Sequence, residues 1–348
     1  PLGLDAENLD VTQCTLSIGC PLIDEAAHAG AHSMRFFAIW RFIEPQHNSF
    51  NWGELPWQVW YAQQRGIEVH FTGTWAPQWA NGAVSTCPPY AGANQWDSNG
   101  VPGPDCQYGY RDVGRTVTNS DYSRNFFYNL ALQFNGSNTA GCPTNTWSTC
   151  RPLVRYFGVW NEPNGMNNFN DTYFNPYNLG NYLNDFATQF PFPAYNGVKA
   201  ANPSAYVLAA ELGTTGGNAC GGFSGCGDWK SSWMQPLSAY FSSSYNITSI
   251  HGYNGHTVDR DNVDLVHLDY SGGRAIWMTE EAAASGTSDL TAVYVDQHNR
   301  ASYWPIIFYS LGGYRTCTNA NTLLCSNDGV TLSRTPYFYA YQSVYAPH

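Results

Sequence analysis

The feature that most constrains the fold is an alternation of short apolar runs with longer amphipathic stretches, repeated eight times along the chain. Short apolar runs bounded by turn residues read as parallel strands buried on both faces, and each amphipathic stretch as the helix that covers them. Strands are expected at residues 1–6, 34–40, 67–72, 154–160, 206–210, 247–253, 275–279 and 306–310. Helices are expected at 23–29, 52–65, 121–134, 176–201, 228–241, 258–268, 290–303 and 336–345. Gly66 closes the second helix, Asn119-Ser120 cap the third, and Pro191 and Pro193 interrupt the fourth. Eight strand and helix pairs without an internal repeat, low-complexity tract or charged linker predict an α/β fold, a (β/α)8 TIM barrel, forming one domain over residues 1–348.

The stretch 74–118, rich in Gly, Pro and Asn, reads as a long loop after the third strand, and loops of that length usually shape a pocket. The 10 cysteines fall in neighbouring couples: Cys14 and Cys20, Cys87 and Cys106, Cys142 and Cys150, Cys220 and Cys226, Cys317 and Cys325. An even count with local spacing predicts mostly sequential loop disulfides, each contributing roughly 2 to 3 kcal/mol by the loop-entropy model. Such bridges imply an oxidising compartment. Sequons at Asn135, Asn170 and Asn246 are candidate glycosylation sites, and the chain is expected to be a mature secreted protein whose signal has been removed.

Charge excludes some partners. Lys plus Arg number 15 against 26 for Asp plus Glu, so no basic stripe exists to neutralise phosphates and no nucleic acid is expected. No apolar run approaches the roughly 18 residues a membrane span needs. With 43% hydrophobic residues the chain can bury a large core, and it is expected to act as a monomer.

The chemistry stands at two strand ends. Val154–Trp160 runs into Asn161-Glu162-Pro163-Asn164, and the run at 275–279 ends in Glu280 and Glu281. In a barrel of this kind, residues at the carboxyl ends of strands gather in one pocket. Two carboxylates there match the needs of glycosidic bond cleavage, in which one protonates the leaving oxygen while the other stands on the far side of the anomeric carbon. Glu281 is the rival of Glu280, because consecutive residues of a strand point to opposite faces. Arg35, set among apolar residues on the second strand, needs a carboxylate partner suited to its planar fork. Trp75 and Trp79, just after the third strand, are candidates to stack on sugar faces. His251 and His256 lack a third ligand at metal spacing, so neither metal nor cofactor is expected.

An Asn-Glu-Pro acid on strand four and a Thr-Glu on strand seven resemble clan A of the glycoside hydrolases, whose members are retaining barrels. Within the clan, Phe157 followed by Trp160-Asn161-Glu162-Pro163-Asn164 is similar to the signature of family 39, which differs in carrying Trp at Arg155 and Glu at Gly158. The resemblance implies a retaining β-glycoside hydrolase acting by double displacement on a carbohydrate substrate. Glu162 is then acid and base, Glu280 the nucleophile, and Asn161 the partner of the hydroxyl beside the anomeric carbon. It also implies that Arg35 holds the nucleophile and that His251 and Tyr253, in the clan's His-x-Tyr at the end of strand six, line the same floor. Two alternatives stay open: an endo-acting β-glucanase or mannanase of another clan A family such as family 5, and a carbohydrate-binding pseudoenzyme.

Overall fold

The computed structural model describes residues 2–5, 19–81, 117–142, 149–164, 179–214, 229–253, 256–281, 288, 292, 306–308, 324–325 and 333–345. Eight parallel strands close into a barrel in simple sequential order. They are β1 (Leu2–Asp5), β2 (Ser33–Ile39), β3 (Glu68–Thr74), β4 (Tyr156–Val159), β5 (Tyr206–Gly213), β6 (Ile247–Gly252), β7 (Ile276–Glu281) and β8 (Ile306–Phe308). β1 pairs with both β2 and β8, so strands from opposite ends of the chain seal the barrel. The expected fold class is the one found, and each expected strand exists with boundaries shifted by a few residues. β5 is the main exception, running three residues further than expected.

Alternation along the strands sorts the apolar residues into two layers. Met34, Phe36, Val69, Phe71, Phe157, Val207, Ile276 and Met278 point outward into the core shared with the helices. Helix Ser120–Gln133 starts where Asn119 accepts a hydrogen bond from the Asp121 amide at 2.9 Å, as its cap position predicts. The expected helix at 176–201 is two helices, Leu179–Gln189 and Pro191–Ala201, because proline lacks the amide needed inside a helix but is accommodated in its first turn. Helix Pro191–Ala201 lies tightly against Ser120–Gln133 at Gly197, where a Cβ would come within 2.3 Å of the Arg124 carbonyl. The expected helix at 228–241 contains a π-helical turn, Lys230–Met234, before Gln235–Tyr240, and that at 258–268 runs His256–Asp269. Most of the expected helix at 290–303 and most of the loop at 74–118 lie outside the described residues.

Cys142 and Cys150 are joined, with a Cα–Cα distance of 6.0 Å. Cys20 is also disulfide-bonded, and Cys325 sits in the short hairpin of Leu324–Cys325 with Ser333–Arg334. Cys14, Cys87, Cys106, Cys220, Cys226 and Cys317 lie outside the described residues, as does the sequon residue Asn170. The other two sequon asparagines use their side-chain oxygens locally. Asn135 accepts from the Ser137 amide at 2.8 Å, and Asn246 from the Val207 amide at 3.0 Å. Among the described residues no helix is long and apolar enough to cross a membrane.

Candidate active site

The barrel interior is stacked in layers. At the bottom Leu208, Ile247 and Trp277 pack together with Tyr156, and His70 meets Trp277 edge-on at 5.9 Å. Burial, reinforced by the charge of Arg35, holds His70 well below its ordinary pKa, so the ring is neutral. Above this apolar floor lie Arg35, Thr72, Glu211 and Ser249, all fully buried. The next layer, toward the carboxyl ends of the strands, holds His251, Glu280, Asn161 and Glu162.

Two of these acids face inward only because their strands carry an extra residue. In β7, Trp277 points into the barrel and Met278 out, so regular alternation would aim Thr279 inward and Glu280 away. The register against β6 moves from Ile250↔Met278 to His251↔Glu280, a one-residue bulge that turns Glu280 into the pocket. β5 does the same. Leu208 points inward, and the register against β6 moves from Ala209↔Thr248 to Leu212↔Ile250, which places Glu211 inside. Ser249 secures this second bulge, accepting from the Glu211 amide at 3.1 Å and donating to the Ala209 carbonyl at 2.7 Å. Glu211 adopts φ +31°, a left-handed conformation of the kind that costs about 1–3 kcal/mol outside glycine.

Arg35 is the hub. Its Nη1 donates to Glu280, its Nη2 to Glu211 and to Asn161 Oδ1 at 2.7 Å, and its Nε to Thr72 Oγ1 at 2.7 Å. Glu280 also accepts from the Tyr253 hydroxyl on its other oxygen. His251 Nδ1 lies 3.0 Å from Glu162 and 3.5 Å from Glu280. One carboxylate oxygen each from Glu162 and Glu280 and one nitrogen of His251 all fall within 4.8 Å of one another. Two carboxylates and a histidine could also ligate a cation, but Arg35 and Tyr253 already engage both oxygens of Glu280, and a metal would have to displace them.

Glu162 hangs from an irregular turn. Trp160 and Glu162 both have positive φ, +70° and +44°. Packing explains how the turn persists: the Trp160 ring packs at a tilt against Phe190 at 4.5 Å, its amide donates to the Gly73 carbonyl at 2.9 Å, and the Glu162 amide donates to the Glu211 carbonyl at 3.1 Å. Asn164 clips the turn to the end of β5 by a reciprocal pair with the Gly213 backbone, at 2.7 and 3.0 Å. The Glu162 side chain is 26% exposed and that of Glu280 only 6%, so one acid faces the opening while the other lies on the floor.

Electrostatics separates the two buried acids. Burial opposes ionisation of Glu280, but the charges of His251 and Arg35 and hydrogen bonds from Tyr253 and Arg35 outweigh it, holding the carboxyl below its usual range. Burial pushes Glu211 up, and Arg35 and His251 offset this only in part. For His251, burial favours the neutral ring, but the charge of Glu280 and the hydrogen bond to Glu162 prevail and raise its pKa. The site therefore holds an ionised Glu280 at neutral pH.

The structure thus brings together Glu162, Glu280, Arg35, Asn161, His251 and Tyr253. Trp75 stands beside this group through Phe37, whose ring it stacks on at 6.4 Å while Phe37 lies under Arg35 at 4.6 Å. Trp79 packs among Trp40, His47 and Tyr122 and donates to the Glu44 carbonyl at 3.0 Å, and none of these contacts is with the two carboxylates. Glu211 is absent from the residues inferred from sequence. Its signal was a single acid inside the apolar run Val207-Leu208-Ala209-Ala210-Glu211-Leu212. The departure at Gly158 has a steric cause, since a Cβ there would lie 2.1 Å from Glu211 Oε1. At Arg155, the other departure, an ion pair with Glu68 spans 3.0 Å.

No family model and no curated protein sequence matches the chain. Solved structures do. A family 39 glycoside hydrolase from Bacteroides cellulosilyticus WH2 matches with a TM-score of 0.59 and 15% identity, covering 99% of this chain and 63% of that one. An exo-β-1,4-mannosidase from Opitutaceae bacterium strain TAV5 matches at 0.60 and 11%, covering 99% and 59%. The chain thus spans roughly three fifths of the length of these two proteins. XacCel5A, solved in complex with cellopentaose, matches at 0.56 and 12% over 99% of this chain and 98% of its own. At such identities the likeness is one of fold, the (β/α)8 barrel that this chain shares with these proteins.

Proposed function

We propose that the protein is a retaining β-glycoside hydrolase acting outside the cell on a β-linked oligosaccharide or polysaccharide. The observation that carries this reading is the pairing of Glu162 and Glu280 at the ends of β4 and β7, with oxygens within 4.8 Å. Retaining enzymes hold their carboxyl groups about 5 to 5.5 Å apart, whereas inverting ones leave about 6.5 to 9.5 Å for a water between them. Ionised Glu280 attacks the anomeric carbon and forms a C–O bond to it. Glu162, entering with its proton, delivers that proton to the glycosidic oxygen as the bond to the leaving group breaks. Glu162, now a carboxylate, takes a proton from water, which displaces Glu280 and regenerates both groups. The amide of Asn161, fixed through its oxygen by Arg35, is left to donate to the hydroxyl beside the anomeric carbon. Trp75, stacked on the Phe37 ring that lies under Arg35, is the aromatic platform offered to the sugar.

The disulfides at Cys142–Cys150 and Cys20 support an oxidising compartment. An endo-acting reading on a β-glucan or mannan is supported by the match to a Pseudomonas stutzeri endoglucanase, Cel5A, over 99% of this chain and 94% of that one. The lengths of the products separate the two modes.

The test is a panel of β-linked polysaccharides and aryl glycosides, run with the wild type, Glu162→Gln and Glu280→Gly. The expected result is cleavage by the wild type only, with azide or formate restoring turnover in Glu280→Gly and giving an inverted adduct. Rescue in Glu281→Gly instead would reassign the nucleophile. A wild type that binds a panel member and cuts none would make the protein a carbohydrate-binding pseudoenzyme.

A further inference from the structure

We propose that Glu211, which takes no part in the bond-making steps above, is the positioning residue that sets the spacing of Glu162 and Glu280, by gripping Arg35 with its side chain and the acid's turn with its backbone. The inference rests on the reading of those two acids as the reacting pair. Glu211 is fully buried, in a layer where an apolar side chain would pack without a partner. Its placement requires a one-residue bulge in β5 and a left-handed backbone, and Ser249 is committed to holding that bulge. Strain of this kind persists only where the surroundings over-determine it, and it concentrates at functional sites.

What the strain achieves is visible in the contacts. Glu211 Oε2 accepts from Arg35 Nη2, the same nitrogen that donates to Asn161, while both its oxygens lie within 3.0 Å of Thr72 Oγ1. Arg35 is thereby clamped from β3 and β5, which leaves Nη1 to Glu280. On its other side, the Glu211 carbonyl receives the Glu162 amide at 3.1 Å. One residue therefore touches the nucleophile's arginine and the acid's backbone. Gly158 on β4 leaves the space in which the carboxylate sits, since a Cβ would overlap Oε1. The charged and titratable groups around it are Arg35 from β2, His70 from β3, Glu162 after β4, His251 from β6 and Glu280 from β7.

Glu211 also divides the charge of Arg35 between two acids. Without it, the guanidinium acts on Glu280 alone, which stabilises the carboxylate further and makes it a poorer nucleophile.

Glu211→Gln keeps the shape and removes the charge. On the aryl glycoside that the wild type cleaves, kcat is expected to fall by about 100-fold, as for a misplacement near 1 Å, with KM within about threefold. The acid limb of kcat/KM is expected to move to lower pH, and Glu211→Asp to recover part of the loss. Gly158→Ala, which displaces the carboxylate and leaves its charge, is expected to lower kcat as well. A Glu211→Gln enzyme with kcat within twofold of wild type overturns the proposal. So does a fall in kcat with an unmoved acid limb, which would mark general damage to the fold. A crystal structure of Glu211→Gln supplies a readout that needs no turnover. Arg35 is expected to leave Asn161 and the Glu162 to Glu280 separation to change. Unchanged positions overturn the proposal even if the wild type proves to be no hydrolase, whereas an inert wild type with a displaced Arg35 overturns the proposed function alone.

Discussion

Replacing Arg35 by Met tests the charge arrangement most directly. Arg35 is fully buried and faces two acids, Glu211 at 0% and Glu280 at 6% side-chain exposure. Met fills much of the volume but leaves those acids without their shared cation, and breaking a buried pair from one side costs about 3–5 kcal/mol. An unfolding entropy of about 2.1 cal/mol/K per residue gives a chain of 348 residues about 0.7 kcal/mol/K, so Tm should fall by about 4–7 °C near pH 7. The sign of the pH dependence follows from the carboxyl groups. In the wild type Glu280 is held below its ordinary pKa, so its contribution is complete above the unfolded value and is lost as pH falls through the folded one. In Arg35→Met both acids are pushed upward, so the variant gains stability as acid neutralises them. The gap in Tm should therefore narrow as pH falls from 7 toward 4, because the variant gains more from neutralising its acids than the wild type does, and calorimetry at a series of pH values reads it. Adding Glu211→Gln to Arg35→Met should recover part of the loss at pH 7. A gap that stays constant over that range, with no recovery in the double variant, would falsify the electrostatic reasoning and leave lost packing as the cause.

Other expectations follow from the same geometry. Tyr253→Phe removes a hydrogen bond to ionised Glu280, so the acid limb of kcat/KM should move to higher pH and kcat should fall about tenfold or more, the worth of a charge-assisted bond. Asn161→Ala should slow cleavage of an intact glycoside far more than that of its 2-deoxy analogue, and equal losses on both substrates would remove Asn161 from contact with that hydroxyl. Replacing Cys142 and Cys150 by Ser opens a loop with a sequence separation of 8, worth about 2.5 kcal/mol by the loop-entropy model, and should lower Tm by about 3 °C.

The barrel was legible because its strands are apolar runs punctuated by turn residues, and because Asn119 and Pro191 mark helix starts by local chemistry that no tertiary contact overrides. The position of Glu162 was legible for a similar reason, since Asn161-Glu162-Pro163 ends the apolar run of β4. The choice between Glu280 and Glu281 was harder. Strict alternation from Trp277 sends Glu280 to the wrong face, and only the bulge at Thr279, a property of the pairing with β6, reverses it. Glu211 was hidden by the same device. With β5 read as ending at Ala210, the acid fell outside the strand, and nothing local in Ala209-Ala210-Glu211 announces an extra residue. Pairing between strands distant in sequence decided both. For Trp79 the place after β3 was legible but not the neighbours, which are Trp40, His47 and Tyr122.

The two bulges also bear on how such a chain can change over generations. A bulge is a single inserted residue that shifts the phase of every side chain after it, so losing Thr279 or Ala210 would swing an acid out of the barrel while leaving every other residue type untouched. Substitutions along β5 and β7 can accumulate so long as apolar residues stay apolar, but one deletion there is lethal to the site. The number of residues between Leu208 and Glu211, and between Trp277 and Glu280, therefore constrains the site more tightly than the identity of the apolar residues along these strands.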